Sequence, residues 1–357
     1  MNYKNILITG GAGFVGSNLA VKLKNNYPNV NIIVLDNLKR RGSELNLPRL
    51  AKFGIDFVHG DVRNKEDLNF NKKIDLILEC SAEPSVLAGI DDSQYSINTN
   101  LIGTLNCLEL AERTNATLIF LSTSRIYPIE ELNKIKYKES KTRFEIDNKQ
   151  ILEGISKNGI SENFPLGKYR SLYGATKLCS EFLIQEYIHN FNIKAVINRC
   201  GIITGPWQMG KVDQGVIALW IARHVWKNKP LSYIGFGGNG KQVRDFIDID
   251  DLFDVVNIQI KNIDKYNNEI FNIGGGLENS LSLLEMTELC QKITKNKIEI
   301  LSDPKNRPDD IRLYISDTSK FKKISNWSCK KTKEQTFREI YKWMIDNKNK
   351  LEKILNQ

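Results

Sequence analysis

The chain has 357 residues, 41% of them hydrophobic, and a formal net charge of +9. That length suits two lobes or one enlarged domain, and the composition is that of a globular protein with a true core. There is no apolar run of about 18 residues, so no membrane span is expected. Met1-Asn2-Tyr3-Lys4-Asn5 lacks a secretory leader pattern, so a cytoplasmic location is expected. The six cysteines are scattered without a C-x-x-C pair, which argues for reduced thiols rather than a disulfide framework or a zinc site. The three histidines are also far apart, and no metal is expected. The lysines are spread along the chain rather than gathered in a block. Nucleic acid is therefore not expected, and the surplus charge equally suits a nucleotide-diphosphate ligand or serves solubility alone.

In chain order, short apolar runs alternate with helical stretches, the pattern of a parallel α/β sheet. Strands are predicted at residues 6–8, 31–35, 55–59, 76–78, 118–122 and 195–198, and helices at 14–25, 96–113 and 172–190. Residues 128–170 are polar and weakly periodic and read as an inserted excursion near the site. After Gly201 the alternation weakens and glycines become frequent, which marks a second lobe. From Lys330 the tail reads as an amphipathic helix with a solvated outer face. The expected fold is α/β: a Rossmann doubly wound parallel sheet with a smaller C-terminal substrate lobe. Residues 1–200 would form the dinucleotide domain, with 245–275 returning to it. Residues 201–244 and 276–357 would form the second lobe.

Gly10-Gly11-Ala12-Gly13-Phe14-Val15-Gly16 places three glycines between the first strand and the first helix. Gly10 allows a tight turn, Gly13 lets a pyrophosphate approach the backbone, and Gly16 lets the helix pack on the sheet. The N–H groups at the helix start, from Phe14 and Val15 onward, favour the anion. Asp36 ends the second strand about 20 residues later, where a carboxylate accepts from ribose hydroxyls and repels a 2′-phosphate. The expected cofactor is therefore NAD, although Arg40 and Arg41 nearby could accommodate that phosphate. Asp61, after the third strand, can accept from the adenine amino group or simply sit in a surface turn.

Tyr173-Gly174-Ala175-Thr176-Lys177 is a Y-x-x-x-K, and i and i+4 share one helix face. An ammonium beside a phenol favours the phenolate, which prepares Tyr173 to exchange a hydroxyl proton. Ser122-Thr123-Ser124 ends the fifth strand, where ligands sit in open parallel sheets. Thr123, or Ser122 or Ser124, can align the substrate oxygen. Together these features describe hydride transfer.

On these motifs the chain resembles the extended short-chain dehydrogenase/reductase superfamily of nucleotide-sugar epimerases and dehydratases, from about Ile6 to Asp317. It is similar more narrowly to the CDP-paratose 2-epimerase (CDP-tyvelose epimerase) branch. That likeness lies in Leu35–Arg40, Val58–Asn64, Val212–Gly215, Gly238–Asp245 and Phe271–Gly275. The resemblance implies a nucleotide-diphosphate sugar as substrate, with CDP favoured, and a homodimer or homotetramer. It implies a cofactor site of Gly10, Gly13, Phe14, Val15, Gly16, Asp36, Asn37, Arg40, Asp61, Val62, Ser81, Ala82, Asn100, Tyr173, Lys177 and Cys200. Substrate would meet Glu83, Ser124, Arg125, Asp213, Gln214, Gln242, Arg244 and Arg307, the last two on the pyrophosphate. Without the family, Arg244 reads equally as an ion pair with Asp245 or Asp248. Two departures stand out. Leu78-Glu79-Cys80-Ser81-Ala82-Glu83-Pro84-Ser85 replaces an apolar His-Leu-Ala-Ala or His-Leu-Ala-Gly stretch, and Arg125 and Pro128 alter the end of the fifth strand. The expected activity is C2 epimerisation of a CDP-linked hexose through a keto intermediate, in surface polysaccharide sugar biosynthesis. A net dehydrogenase or reductase of a nucleotide-linked sugar or polyol, and a non-catalytic NAD-binding protein, are the alternatives.

Overall fold

The computed structural model describes residues 3–210, 214–227 and 229–355. Its chain divides into two compact units. The first comprises Met1–Ile126, Leu172–Arg199 and Phe253–Phe271, and the second comprises Tyr127–Ser171, Cys200–Leu252 and Asn272–Gln357.

A seven-stranded sheet organises the first unit. Its strands are β1 (Asn5–Thr9), β2 (Asn31–Asp36), β3 (Asp56–His59), β4 (Leu76–Glu79), β5 (Thr117–Thr123), β6 (Ala195–Cys200) and β7 (Glu269–Ile273). The spatial order is β7-β6-β5-β4-β1-β2-β3, with β1 and β4 adjacent where the winding reverses. The ladders across β3-β2-β1-β4-β5 are parallel, pairing for example Leu7 with both Ile33 and Ile77. Ile6, Leu7 and Ile8, and Ile32 to Leu35, are buried because helices cover both faces of such a sheet. Those strands therefore read as apolar runs. Three helices matter for the site: α1 (Phe14–Asn26), α2 (Gly103–Thr114) and α3 (Leu172–Phe191). The helix predicted over 96–113 is interrupted. A short helix, Ser93–Ile97, passes through a π turn, Asn98–Ile102, before α2 begins. Leu108, Ala111, Leu118, Phe120, Ile184 and Ile197 form one core between α2, α3 and the sheet.

The second unit has its own sheet, Ile202–Thr204, Val243–Asp248 and Ser280–Ser282, with Leu313–Tyr314 also paired to the central strand. Helices Val216–Trp226, Leu283–Thr294 and Lys333–Asp346 pack together, and Trp220 Nε1 donates to Thr287 Oγ1 at 3.0 Å. The unit boundaries differ from the sequence reading. Residues 127–171 belong to the second unit, which makes that unit as large as the first rather than smaller. Of 245–275, the stretch Phe253–Phe271 joins the first. The polar excursion is ordered, with hairpins Tyr137–Glu139/Phe144–Ile146 and Ile155–Ser156/Gly159–Ile160. Arg143 ties it down through an ion pair to Glu285 at 2.8 Å and a bond to the Ser280 carbonyl at 2.8 Å. The tail is not only a solvated face: Phe337, Ile340, Trp343, Met344 and Leu351 are buried.

Candidate active site

The glycine loop is built as the sequence implied, with supports the sequence did not reveal. Gly10 has φ +61°, and a Cβ there would lie 2.8 Å from the Cys80 carbonyl oxygen. A Cβ on Gly16 would lie 2.4 Å from the Gly10 oxygen, so the loop closes tightly on α1. Asp36 holds the loop from β2: its Oδ2 accepts from Ala12 N at 3.1 Å and its Oδ1 from Leu38 N at 2.8 Å. Burial raises the Asp36 pKa, and these backbone donors oppose the rise. Asn46, buried and unforeseen, donates to the Ala12 carbonyl at 2.8 Å. Gly13 is the N-cap of α1, and no side chain caps it. A Cβ at Gly13 would meet Gly10 O alone, at 3.1 Å. An open cradle at an uncapped helix start fits a dinucleotide pyrophosphate.

Beside it, Asp61 accepts from Asn37 Nδ2 at 2.8 Å and from Arg63 through Nε at 3.0 Å and a terminal guanidinium nitrogen at 2.7 Å. Burial alone would raise its pKa, but the Arg63 and Asn37 hydrogen bonds outweigh that and hold it at about 2. Arg63 lies 4.7 Å and Lys39 3.0 Å from the Tyr95 ring centre, a cation–π pair that sequence reading missed. Val62 is buried beside Gly103, and Arg40 is half-buried.

The Y-x-x-x-K lies on α3. Lys177 is 1% exposed with its Nζ 3.8 Å from the Phe120 ring centre, and Tyr173 is half-buried one turn earlier. Thr123 is 8% exposed at the end of β5, and its Oγ1 accepts from Arg125 N at 3.2 Å, which leaves the hydroxyl hydrogen to donate. Ser122, by contrast, is committed inward: it donates to Glu181 Oε1 at 2.5 Å. Glu181 is bound in turn by Arg199 through Nε at 3.1 Å and a terminal nitrogen at 2.8 Å. This network was legible in principle, because Glu181 lies four residues after Lys177 on the same helix face.

Several expected ligands have other duties. Asn100 is fully buried, its Oδ1 accepting from Glu83 N at 2.8 Å and its Nδ2 donating to Glu83 O at 3.1 Å and Thr176 Oγ1 at 3.2 Å. It is a strut clamping the Ser81–Ser85 loop to α3. In that loop Ser81 is buried, and Ala82 and Glu83 are half-buried. Glu83 Oε1 accepts from Ser85 N at 3.2 Å. Glu79, at the end of β4, is 0% exposed.

On the second unit, Arg244 pairs with neither Asp245 nor Asp248. Its guanidinium pairs with Asp310 at 2.9 Å and donates to the carbonyls of Val243 at 2.8 Å and Ile311 at 2.5 Å. The fork expected on the pyrophosphate is thus occupied by protein. Arg307 is exposed, Cys200 is buried, and Gln214 is half-buried. Gln242 donates to Ile234 O at 2.9 Å, and its buried Oε1 has no partner among the described residues. Asp213 lies outside the described residues. None of the six cysteines forms a disulfide among the described residues. The carboxylates of Asp248, Asp250 and Glu339 cluster, with Lys331 bonded to Asp250 at 3.5 Å and to Glu339. No helix among the described residues is long and apolar enough to cross a membrane.

A doubly wound sheet with a dinucleotide cradle and a Y-x-x-x-K helix beside a strand-end threonine defines an enzyme of the extended short-chain dehydrogenase type. The chain belongs to the NAD dependent epimerase/dehydratase family, matching it over residues 6–274. It is 32% identical over 349 residues to the CDP-paratose 2-epimerase of Salmonella typhi, covering 95% of this chain and 98% of that protein. It is 28% identical to a putative UDP-glucose 4-epimerase of Methanocaldococcus jannaschii, covering 96% and 99%. Among solved structures, the dTDP-glucose 4,6-dehydratase of Bacillus anthracis in complex with NAD superposes with a TM-score of 0.75 at 25% identity, covering 97% of each chain. The protein is an NAD-dependent enzyme acting within the nucleotide-sugar epimerase and dehydratase family.

Proposed function

We propose that this enzyme epimerises C2 of a CDP-linked hexose through a keto intermediate, in the making of a surface polysaccharide sugar. The observation that carries the reading is the full-length likeness to a CDP-paratose 2-epimerase. No carbonyl acidifies C2 in such a sugar, so proton abstraction at carbon is too costly, and oxidation of the C2 hydroxyl opens another route. NAD held at the glycine loop would supply the hydride acceptance and return that this route needs. The remaining work falls to the chain.

Gly10, Gly13, Phe14, Val15 and Gly16 receive the pyrophosphate, and Asp36 takes ribose hydroxyls with the lone pairs its backbone donors leave. Asn37, Arg40, Asp61 and Val62 flank the adenosine, and Ser81, Ala82 and Cys200 complete the cofactor set. Tyr173 takes the hydroxyl proton, with the Lys177 ammonium stabilising its phenolate. Thr123 and Ser124 hold the sugar oxygen. Asp213, Gln214, Gln242, Arg307, Arg125 and Glu83 serve the nucleotide sugar. Arg244 serves it if Asp310 gives way to phosphate oxygens, which suit the same fork. Phe182, 54% exposed on α3, supports a homodimer or homotetramer, and the substrate class supports a cytoplasmic site of action.

The test is incubation with CDP-linked hexoses, following sugar configuration by NMR and the NADH absorbance together. The expected result is a C2 isomer with no net absorbance change. NADH appearing or vanishing in step with turnover would identify a net dehydrogenase or reductase instead. Tyr173→Phe should lower kcat by about 10²–10⁴-fold while NAD stays bound; unchanged turnover would remove Tyr173 from the mechanism.

A further inference from the structure

Glu79, the last residue of β4, is a fully buried ionisable group with no part in the reaction above. Its Oε1 lies 2.8 Å from Thr104 Oγ1 on α2, and its Oε2 has no hydrogen-bond partner among the described residues. Thr104 Oγ1 also lies 2.7 Å from the Asn100 carbonyl oxygen. A hydroxyl has one hydrogen to donate, and a carbonyl can only accept. When Thr104 donates to Asn100, its contact with Glu79 needs a hydrogen from the carboxyl group. A neutral acid also lowers the cost of the bare Oε2, since an unpartnered carboxylate oxygen in the interior is far less tolerable than a carbonyl oxygen.

The surroundings agree. The ladder neighbours of Glu79 are Thr9 on β1 and Phe120 on β5, neither of which offers a charge. From α2 comes Cys107, fully buried, whose thiol is pushed well up by burial first and by the Glu79 charge second. From α3 comes Lys177, the opposing charge, while Glu181 on the next turn is spent on Arg199. Burial raises the Glu79 pKa, and Lys177 and the Thr104 hydrogen bond oppose the rise. A switch of state needs no atom to move far. Ser180 Oγ lies 3.0 Å from both the Asn100 and the Thr176 carbonyls. If Glu79 releases its proton to solvent, Thr104 can turn its hydrogen to the carboxylate while Ser180 supplies Asn100.

We propose that Glu79 is carried as a neutral carboxylic acid donating to Thr104, and that its ionisation cancels the Lys177 field on the Tyr173 proton. Neutral, it leaves the ammonium fully effective, and Tyr173 parts with its proton readily. Ionised, it compensates the ammonium, and Tyr173 holds its proton more tightly. Glu79 acts through Lys177 and is a positioning residue. This regulatory half rests on the Tyr173–Lys177 reading above; the protonation half does not.

Infrared difference spectra of wild type against Glu79→Gln test the protonation directly, without substrate. A carboxylic-acid carbonyl band at neutral pH, absent from the variant, is expected, and it should fade as pH rises. Thr104→Val, which keeps the carboxyl group and removes its acceptor, should move that band to higher frequency. No acid band at neutral pH, or a band indifferent to Thr104→Val, would overturn the assignment. The kcat–pH profiles test the regulation. The ratio of Glu79→Gln to wild-type kcat should climb on the alkaline side, because only the wild type loses Tyr173 phenolate as Glu79 ionises. A ratio flat with pH would overturn it. Failure of Tyr173→Phe to affect turnover would instead sink the reading of the site and leave the infrared result standing.

Discussion

Removing Arg199 should strike the first unit harder than any other single change near the active strand. The Glu181 carboxylate is 1% exposed and the Arg199 side chain 5%, and Ser122 completes the carboxylate's hydrogen bonds. A pair this deep gains little over an apolar replacement, because desolvation offsets its attraction, but an orphaned partner is expensive. Arg199→Met leaves the Glu181 carboxylate buried without its cation, which costs about 3–5 kcal/mol. Arg199→Met with Glu181→Leu removes both charges, leaves Ser122 seeking a partner at about 1–3 kcal/mol, and should recover most of the loss. Urea unfolding followed by circular dichroism, on wild type, both single variants and the double, supplies the cycle. The coupling energy should reach about 2 kcal/mol or more. Because Ser122 adjoins Thr123 and Glu181 lies one turn beyond Lys177, Arg199→Met should also lower kcat at temperatures where the fold survives. A loss below about 1 kcal/mol for Arg199→Met, or additive single effects, would refute the account of an interdependent buried pair.

Gly16→Ala should abolish NAD binding by calorimetry and lower the melting temperature, because its Cβ would meet backbone atoms of Gly10 at 2.4 Å and Gly11 at 2.7 Å, which cannot rotate away. Asp61→Asn should flatten the acid limb of the stability–pH curve. The folded pKa is about 2 against an ordinary 3.8, so the native carboxylate contributes stability that is present above 3.8 and lost as pH falls toward 2. A variant that tracks wild type through that window would show that Arg63 and Asn37 do not hold the charge. Asn100→Asp should raise KM and protease sensitivity at Ser81–Ser85, since a carboxylate cannot donate to Glu83 O or Thr176 Oγ1. Unchanged cleavage would deny the strut.

The parallel sheet was legible because strands covered on both faces carry no alternation to misread: Ile6-Leu7-Ile8 and Ile32–Leu35 are apolar without a break. The ordered excursion was not. Tyr137–Glu139 is exposed throughout, and three residues are too few to establish a period of two. What orders it is remote in sequence, since Arg143 reaches Glu285 and Ser280 across some 140 positions. The π turn at Asn98–Ile102 was likewise hidden, because its residues continue the helical pattern while its wider coil turns the Asn100 carbonyl toward Thr104 and Ser180.

At the site, the cradle and the Y-x-x-x-K were legible because each is a short spacing tied to one element, whereas the partners of long side chains were not. Arg244 shows the limit: sequence neighbours Asp245 and Asp248 were its plausible partners, yet Asp310, in a loop 66 positions away, takes the fork. Glu79 shows why a single position matters more than a motif. The strand was predicted to end at residue 78, which would leave Glu79 in the ligand loop. In the structure β4 runs through residue 79, and the alternation of a strand turns that carboxyl group into the core against α2. Of the departure from the family's apolar stretch, Glu79 thus belongs to the buried core, whereas Glu83 stays in the loop beyond the strand. Glu83 and Arg125 are half-buried in the segments that follow β4 and β5, on the side of a parallel sheet where ligands are received.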